Sequence, residues 1–206
     1  MAYCTVAAVR LRMRGIGTDK VSDADITSLI EEAEGIIDDY AGHDFDEHEG
    51  AEEYYDGDEE ETLLLRNRPV IEVTTVEGRN SGAFAELTEF DPETGEGNWH
   101  VEDLSAGILA FEDPPSEGVK NIRVTYSYGY ETVPGNIAAL AAVLAAIPAL
   151  AIAANVVNPS GLASVSQGSL SWSWSGGAYK DTVDQLQRDA DRLLAKVRPR
   201  FHSGGS

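Results

Sequence analysis

The sequence predicts an α+β protein, in which a bundle of about four helices carries a small inserted antiparallel β unit and a β-hairpin before the last helix. Three features indicate this arrangement. Apolar residues recur every three or four positions near both ends of the chain, and an alanine-rich apolar run lies between those ends. In the middle, short apolar runs alternate with turn residues. We expect the helical core to comprise residues 1–51 and 133–206, with the hairpin at 163–174, and the β domain to comprise residues 52–132.

The helices are predicted from their capping residues and their apolar spacing. Thr5 can cap a short first helix. Ser22 can cap a longer second helix, whose apolar positions recur every three or four residues as far as Tyr40. The same spacing predicts a last helix that begins near Gly177 and stops at Pro199.

Five strands are predicted between the helical parts. Their apolar residues alternate or form short runs, and Gly, Pro and Asn separate them. Residues 44–61, which precede most of this region, hold eleven carboxylates and are expected to form a solvated loop. The hairpin is predicted because Ser alternates with Val, Leu and Trp on either side of Gln167-Gly168. The five strands are Thr62–Arg66, Val70–Val76, Ala85–Phe90, Ile108–Glu112 and Ile122–Tyr130.

Residues 137–154, IAALAAVLAAIPALAIAA, contain no charge and no hydrogen-bonding side chain. Their length permits either a membrane span or a buried helix. Ten of the eighteen are alanine, and no Lys or Arg occurs within ten residues on either side, so a helix buried among other helices is favoured. Pro148 removes one helical hydrogen bond and is expected to kink or split this helix.

A helix that is apolar on every side needs neighbours on every side. Two amphipathic helices of the same chain are expected to leave part of it bare, and that part would be buried against another copy or a partner. The hairpin residues Leu170, Trp172 and Trp174 share one face of a strand, which either packs in the core or anchors an interface. The predicted oligomer-interface residues are Leu140, Val143, Leu144, Ile147, Leu170, Trp172 and Trp174.

The charge is strongly negative: 15 Lys and Arg face 36 Asp and Glu, a formal net charge of -21. This imbalance argues against a protein that grips nucleic acid, because phosphate binding needs clustered cations. It also argues against an anionic membrane surface. Molar salt shortens the screening length to about 3 Å and removes most of the self-repulsion. The composition therefore favours a protein of a very salty cytoplasm, with an acidic mesophilic protein as the alternative.

No motif in the sequence predicts a reaction. There is no Walker loop, no dinucleotide-binding glycine fingerprint, no His-Glu-x-x-His and no nucleophile elbow. His43 and His48 among carboxylates are a weak metal pattern, and Asp56–Glu61 offers oxygens without the spacing of an EF-hand loop. We therefore assign no catalytic, cofactor-binding or metal-binding residue and no cofactor. The alternative to a structural protein is a ligand- or calcium-binding β module on a helical scaffold.

The C-terminal end differs in charge from the rest of the chain. Five bases and two acids occur between Gln187 and Ser206. Such an end suggests an element that docks onto an acidic partner; alternatively, its bases complement the dipole of the last helix. The predicted docking residues are Arg192, Lys196, Arg198, Arg200 and Phe201.

The order of several short motifs resembles a known family. They are TVAAV at 5–9, SDADI at 22–26, EYYDGD at 53–58, LLL at 63–65 before Pro69-Val70, VTYSYGY at 124–130, and VP before the alanine-rich run. Together they resemble the head–tail connector proteins of tailed viruses, also called adaptor or head-completion proteins. The likeness extends from about residue 3 to residue 198.

The resemblance implies a structural virion protein at the capsid–tail junction, assembled in the host cytoplasm. It implies a ring, typically of twelve copies, bound beneath the portal protein and followed by a further tail or head-completion protein. Viral DNA would pass through its centre without sequence-specific binding, and no membrane would be involved. With the acidic composition, the resemblance implies a virus of a halophilic archaeon. It also implies that the basic C-terminal end docks onto the portal.

Overall fold

A computed structural model describes residues 2–79, 81–157, 163–167, 170–174 and 179–197. The chain divides into two compact units. A helical unit is drawn from Met1–Phe45 and Val133–Ser206, and a β unit comprises Asp46–Thr132.

The helical unit contains four helices within the described ranges. The predicted caps of the first two are confirmed: Thr5 Oγ1 accepts a hydrogen bond from the Ala8 amide at 3.2 Å, and Ser22 Oγ accepts one from the Asp25 amide at 3.1 Å. Asp25 in turn accepts from the Ser22 amide, which completes a capping box. The helices are α1 (Val6–Arg12), α2 (Asp23–Ala41), α3 (Gly135–Val157) and α4 (Lys180–Leu194).

Helix α3 is the core of the helical unit. It contacts α1, α2 and α4 as well as the strand Leu170–Trp174. It is also the one helix in the described residues that is long and apolar enough to span a membrane, yet 67% of that stretch is buried within the chain. Its many alanines let the neighbouring backbones approach closely, as expected for a core helix. The helix continues through Pro148, so of the two expected outcomes the split does not occur, and a kink stays a prediction.

The predicted hairpin forms an antiparallel pair, β8 (Ala163–Gln167) and β9 (Leu170–Trp174). Its Cα partners run from Gln167 opposite Leu170 to Ala163 opposite Trp174.

In the described residues of the β unit, seven strands form two antiparallel sheets. One has four strands in the order β1-β7-β3-β4, and the other has three in the order β2-β6-β5. Strand β7 is central, since β1 pairs with one of its edges and β3 with the other. The strands are β1 (Glu47–Gly57), β2 (Thr62–Leu64), β3 (Val70–Gly78), β4 (Ala85–Glu86), β5 (Trp99–Asp103), β6 (Ile108–Phe111) and β7 (Gly118–Gly129).

The β unit has a hydrophobic core of its own. Both sheets contribute to it, and its central side chains are almost fully buried. The buried members of this cluster are Tyr55, Leu65, Val70, Val76, Trp99, Leu109, Phe111, Ile122, Val124 and Tyr126.

The prediction of a helical bundle with a small β insertion is wrong. The fold is mixed α+β, and its two main sheets form a unit with a hydrophobic core of its own instead of a small insertion in a helical bundle. One cause is β1, which lies in the stretch expected to be a solvated acidic loop. Its carboxylates occupy positions that tolerate solvent, while Tyr55 is buried in the core of the β unit. A second cause is β5, which the sequence reasoning did not predict as a strand.

Candidate interaction surfaces

The predicted interface residues of α3 lie inside the helical unit. Leu140 and Ile147 are fully buried, and Val143 and Leu144 are 3% and 4% exposed. Their part in an oligomer interface stays a prediction, but the single chain already covers these four side chains. Among the side chains of this helix that the structure describes, Ile152 is the most exposed large hydrophobic one, at 37%.

The predicted docking residues lie at and beyond the end of α4. Arg192 is exposed, and its Nη2 lies 3.1 Å from Oδ1 of Asp189, one turn earlier. Lys196 is exposed just after the helix, whereas Val197 is buried. Arg198, Arg200 and Phe201 lie outside the described residues, as do the side chains of Leu170, Trp172 and Trp174. Docking by this end therefore stays a prediction.

Helix α1 presents a basic and apolar surface that the sequence reasoning missed. Leu11 is 79% exposed, the largest fraction of any large hydrophobic side chain in the described ranges. Arg14 is exposed and Arg12 half-buried beside it. We call Leu11 and Arg12 of α1, together with Arg14 just beyond its end, the α1 surface. A signal for it was available, because residues 2–18 contain three arginines and no acid.

The α1 surface is held rigidly from beneath. Arg10 Nε donates to Oδ1 of Asp23 at 2.7 Å, and its Nη2 donates to the carbonyl of Val21 at 3.0 Å. These bonds attach α1 to the start of α2. Val9 and Met13 are buried, so the helix is also anchored by packing.

Helix α2 presents an acidic surface on its solvent side. Ser28, Glu31, Glu32, Gly35 and Asp39 are exposed. At 100° per residue these five positions fall within an arc of about 100°. We call them the α2 surface.

Two other acids of α2 do not belong to the α2 surface, because they accept hydrogen bonds from Tyr3 of the same chain. Glu34 Oε1 accepts from the Tyr3 amide at 2.6 Å, and Asp38 Oδ1 accepts from the Tyr3 hydroxyl at 2.6 Å. The acids of the α2 surface are thus distinct from those that fix the N-terminal segment.

The β unit carries a stack of guanidinium groups on an aromatic ring. The Cζ atoms of Arg79 and Arg123 each lie 4.8 Å from the centroid of the Phe84 ring, which also meets Tyr54 edge-on. Arg123 donates two hydrogen bonds of 2.5 Å to the carboxylate of Glu77. These bonds lower the pKa of Glu77 and raise that of Arg123. Arg123 and Glu77 therefore neutralise each other within the β unit.

Buried polar bonds fix the loops of the β unit. Asn121, which is 5% exposed, accepts from the Gly57 amide at 2.7 Å and donates to the Ser116 carbonyl at 2.7 Å. Tyr55 donates to Glu53 and accepts from the Arg66 amide, and burial followed by the bond to Glu53 raises the pKa of its hydroxyl. These groups hold loops and are not arranged for a reaction.

The candidate cation ligands have other partners. His43 Nδ1 lies 2.6 Å from the carbonyl oxygen of Asp44, and His48 stacks on Tyr128. In the acidic loop, Asp56 Oδ1 accepts from the Lys120 amide and Asp58 Oδ1 from the Glu60 amide. Among the residues whose placement is described, no three His, Cys, Asp or Glu side chains are grouped so as to hold a metal ion.

The comparison with protein families decides the assignment. The model of the family described as "Head completion protein" matches residues 5–146, more than half of the chain. The chain belongs to the head completion protein family. The resemblance to head–tail connector, or head-completion, proteins of tailed viruses is thereby confirmed, and with it a structural role at the head–tail junction.

Solved structures show the same fold. One chain similar to this head completion protein comes from the neck of an empty GTA particle, a structure computed with C6 symmetry. The likeness covers 97% of this chain and 91% of that chain, with a TM-score of 0.51 and 15% sequence identity. No curated protein matches in sequence.

The matched range divides the surfaces of this head completion protein. It includes α1, α2, the whole β unit and the first half of α3. The hairpin, α4 and the basic end follow it. The α1 and α2 surfaces thus belong to the part that the family model describes, and the predicted docking residues do not.

Proposed function

We propose that this head completion protein assembles as a homo-oligomeric ring of twelve copies, which joins the portal protein to a further tail or head-completion protein and provides a channel for viral DNA. The observation that carries the proposal is the family match over residues 5–146. The similar chain from a neck computed with C6 symmetry supports a ring whose copy number is a multiple of six. Twelve is the number that the family resemblance implies.

The test is the phenotype of a virus that lacks the protein. We expect filled or partly filled heads without tails, because nothing would connect the portal to the tail. Complementation with the intact chain should restore tailed particles, and labelled protein should lie at the head–tail junction. Normally tailed particles without the protein would refute the proposal.

The charge of the chain suits a channel that DNA crosses without being held. A net charge of -21 repels the phosphate backbone, so DNA slides instead of binding. We expect no retention of duplex DNA at about 0.15 M salt, where charges act over about 8 Å. A footprint at a defined sequence would contradict this part of the proposal.

The acid excess also supports an origin in a virus of a halophilic archaeon. Only four of the fifteen basic residues are lysines. Raising KCl from about 0.15 M to about 1 M shortens the screening length from about 8 Å to about 3 Å and relieves the self-repulsion. The unfolding temperature should therefore rise with KCl. A flat or falling dependence would favour an acidic protein of an ordinary cytoplasm.

The basic C-terminal end is proposed to dock onto the portal protein. The residues proposed to make this contact are Arg192, Lys196, Arg198, Arg200 and Phe201. Val197 is buried, so a chain truncated after Val197 keeps its packing in the helical unit. The truncated chain should fold but should no longer co-sediment with portal particles, and an Arg192→Glu/Lys196→Glu variant should weaken docking. Docking by both variants at the level of the intact chain would refute the assignment.

A further inference from the structure

The seam between neighbouring copies can be located on the helical unit. We propose that the α1 surface of one copy docks onto the α2 surface of the next copy, with Leu11 seated beside Gly35 and with Arg12 and Arg14 facing Glu31, Glu32 and Asp39. This inference rests on the proposed ring, and it names the surfaces that close that ring.

The first argument is the position of Leu11. A leucine that is 79% exposed leaves nearly its whole side chain in water, and α1 cannot turn to bury it because Arg10, Val9 and Met13 hold the helix from beneath. Burying such a side chain at an interface is favourable. The residues around it are rigid, so little conformational freedom is lost on docking.

The second argument is charge. The segment 2–18 carries three positive charges in a chain of net charge -21, and Arg10 is the one that Asp23 neutralises. Arg12 Nη1 donates to the carbonyl of Ala8, and no carboxylate in the described part of the chain pairs with Arg12 or Arg14. An acidic surface on another molecule would complement these two charges, and another copy of this chain supplies one.

The third argument is the glycine in the middle of α2. Glycine in a helix interior is unfavourable relative to alanine. A Cβ atom built on Gly35 meets no atom within 4 Å, so packing within the chain does not require glycine here. Glycine at this position would, however, let another molecule pack closely against α2. Gly35 lies between Glu31, Glu32 and Asp39 on the exposed arc of α2, where an incoming leucine would find both space and flanking negative charge.

The two surfaces are different, and this fits a ring. A contact that joins two different patches of identical chains is head-to-tail, and it closes into a ring when the rotation between copies divides a full turn. A contact of a patch with itself would give a dimer instead.

Cross-linking of cysteine pairs tests the contact directly. In a Cys4→Ser background, two exposed positions are replaced in one chain, Ala7→Cys one turn before Leu11 and Ser28→Cys on the α2 surface, while Leu11 and Gly35 are kept. The chain is bound to portal particles and treated with a short bifunctional maleimide. We expect a ladder of covalent multimers up to the full ring. Chains with either cysteine alone should give no ladder, and a mixture of the two single variants should give dimers.

Point variants provide a second readout. Leu11→Asp and Arg14→Glu should each raise the dissociation constant of the ring at least tenfold. Leu64→Asp, which alters another exposed leucine, in the β unit, should leave that constant unchanged. Gly35→Leu should raise the unfolding temperature of the dissociated chain, because leucine is the better helix former, and yet block the ring. Loss of ring formation through misfolding would lower that temperature instead.

The outcomes separate the two proposals. Rings that are visible by electron microscopy, but give no ladder and tolerate Leu11→Asp, would refute this seam and leave the proposed function standing. Absence of rings from the intact chain, even on portal particles, would refute the proposed function itself.

Discussion

The helical unit and the β unit are stabilised in different ways. In the helical unit, the buried side chains of α3 that the structure describes are all apolar, and many of them are alanines, so this helix depends on close packing. In the β unit, buried side chains such as Asn121 and Tyr55 form hydrogen bonds that fix loops between two sheets. The stability of the helical unit is therefore expected to depend most on side-chain volume around α3. The stability of the β unit is expected to depend most on its buried hydrogen-bond partners. This difference suits a protein with one unit that packs as a block and another that displays shaped loops.

The largest change in stability is expected from shortening a buried side chain of α3. Leu140 is fully buried. Leu140→Ala should lower the free energy of unfolding by about 2–5 kcal/mol, through lost transfer energy and the cavity left behind. Ile152→Ala on the same helix, at a position 37% exposed, should cost clearly less. Equal losses in denaturant titrations would contradict the description of α3 as a close-packed core.

A smaller but specific loss is expected from the buried amide of the β unit. Asn121→Leu removes the partners of the Gly57 amide and the Ser116 carbonyl while keeping an apolar volume. The buried Gly57 amide left without a partner costs about 1–3 kcal/mol, whereas the Ser116 carbonyl, in a part-buried bond, can turn to water instead. Ser105→Ala, which removes an exposed hydroxyl bonded to Asp103, is the control and should change stability little. A neutral Asn121→Leu variant would show that packing, not polar pairing, governs this unit.

The cap of α2 should contribute about as much as a typical helix cap. Ser22→Ala removes the acceptor for the Asp25 amide and is expected to cost about 1 kcal/mol. Ser28→Ala makes the same chemical change in the middle of the same helix, where alanine is the better helix former, and should be neutral or slightly stabilising. Thermal unfolding of both variants decides whether the position or merely the residue type matters.

The smallest effect is expected from the ion pair of Arg123 and Glu77. Hydrogen bonds from Arg123 lower the pKa of Glu77 from its ordinary 4.5, so the pair stabilises the folded state above that pH and loses its contribution as the pH falls through the lowered value. Partly exposed pairs contribute about 0–1 kcal/mol. Glu77→Gln should therefore lose stability at pH 7 but show a shallower decline on acidification. Parallel pH profiles for the two proteins would contradict this assignment.

The sequence predicted the features that depend on neighbouring residues. The cap at Ser22, the stripe of α2 and the burial of the alanine-rich helix follow from local spacing, and the family resemblance followed from the order of short motifs. Strand β1 was missed because its own residues are mostly acidic. It becomes a strand by pairing with β7, where Tyr55 lies opposite Ile122, a residue that follows it by almost seventy positions.

The interaction surfaces were the least predictable feature. Sequence reasoning counted two helices around α3 and expected a bare remainder, and it did not count α1, which is a third helix in contact with α3. A helix of seven residues carries too few periods to show which side it buries. Leu11 was therefore not recognisable as exposed, although the charge of its segment distinguished it from the rest of the chain.

Electron microscopy of the purified protein in molar KCl, alone and on portal particles, tests the central claim most directly. If the protein forms the proposed head completion ring, the particles should show twelve-fold symmetry and an open central channel. A chain that stays monomeric under both conditions, and that is absent from virions, would contradict it.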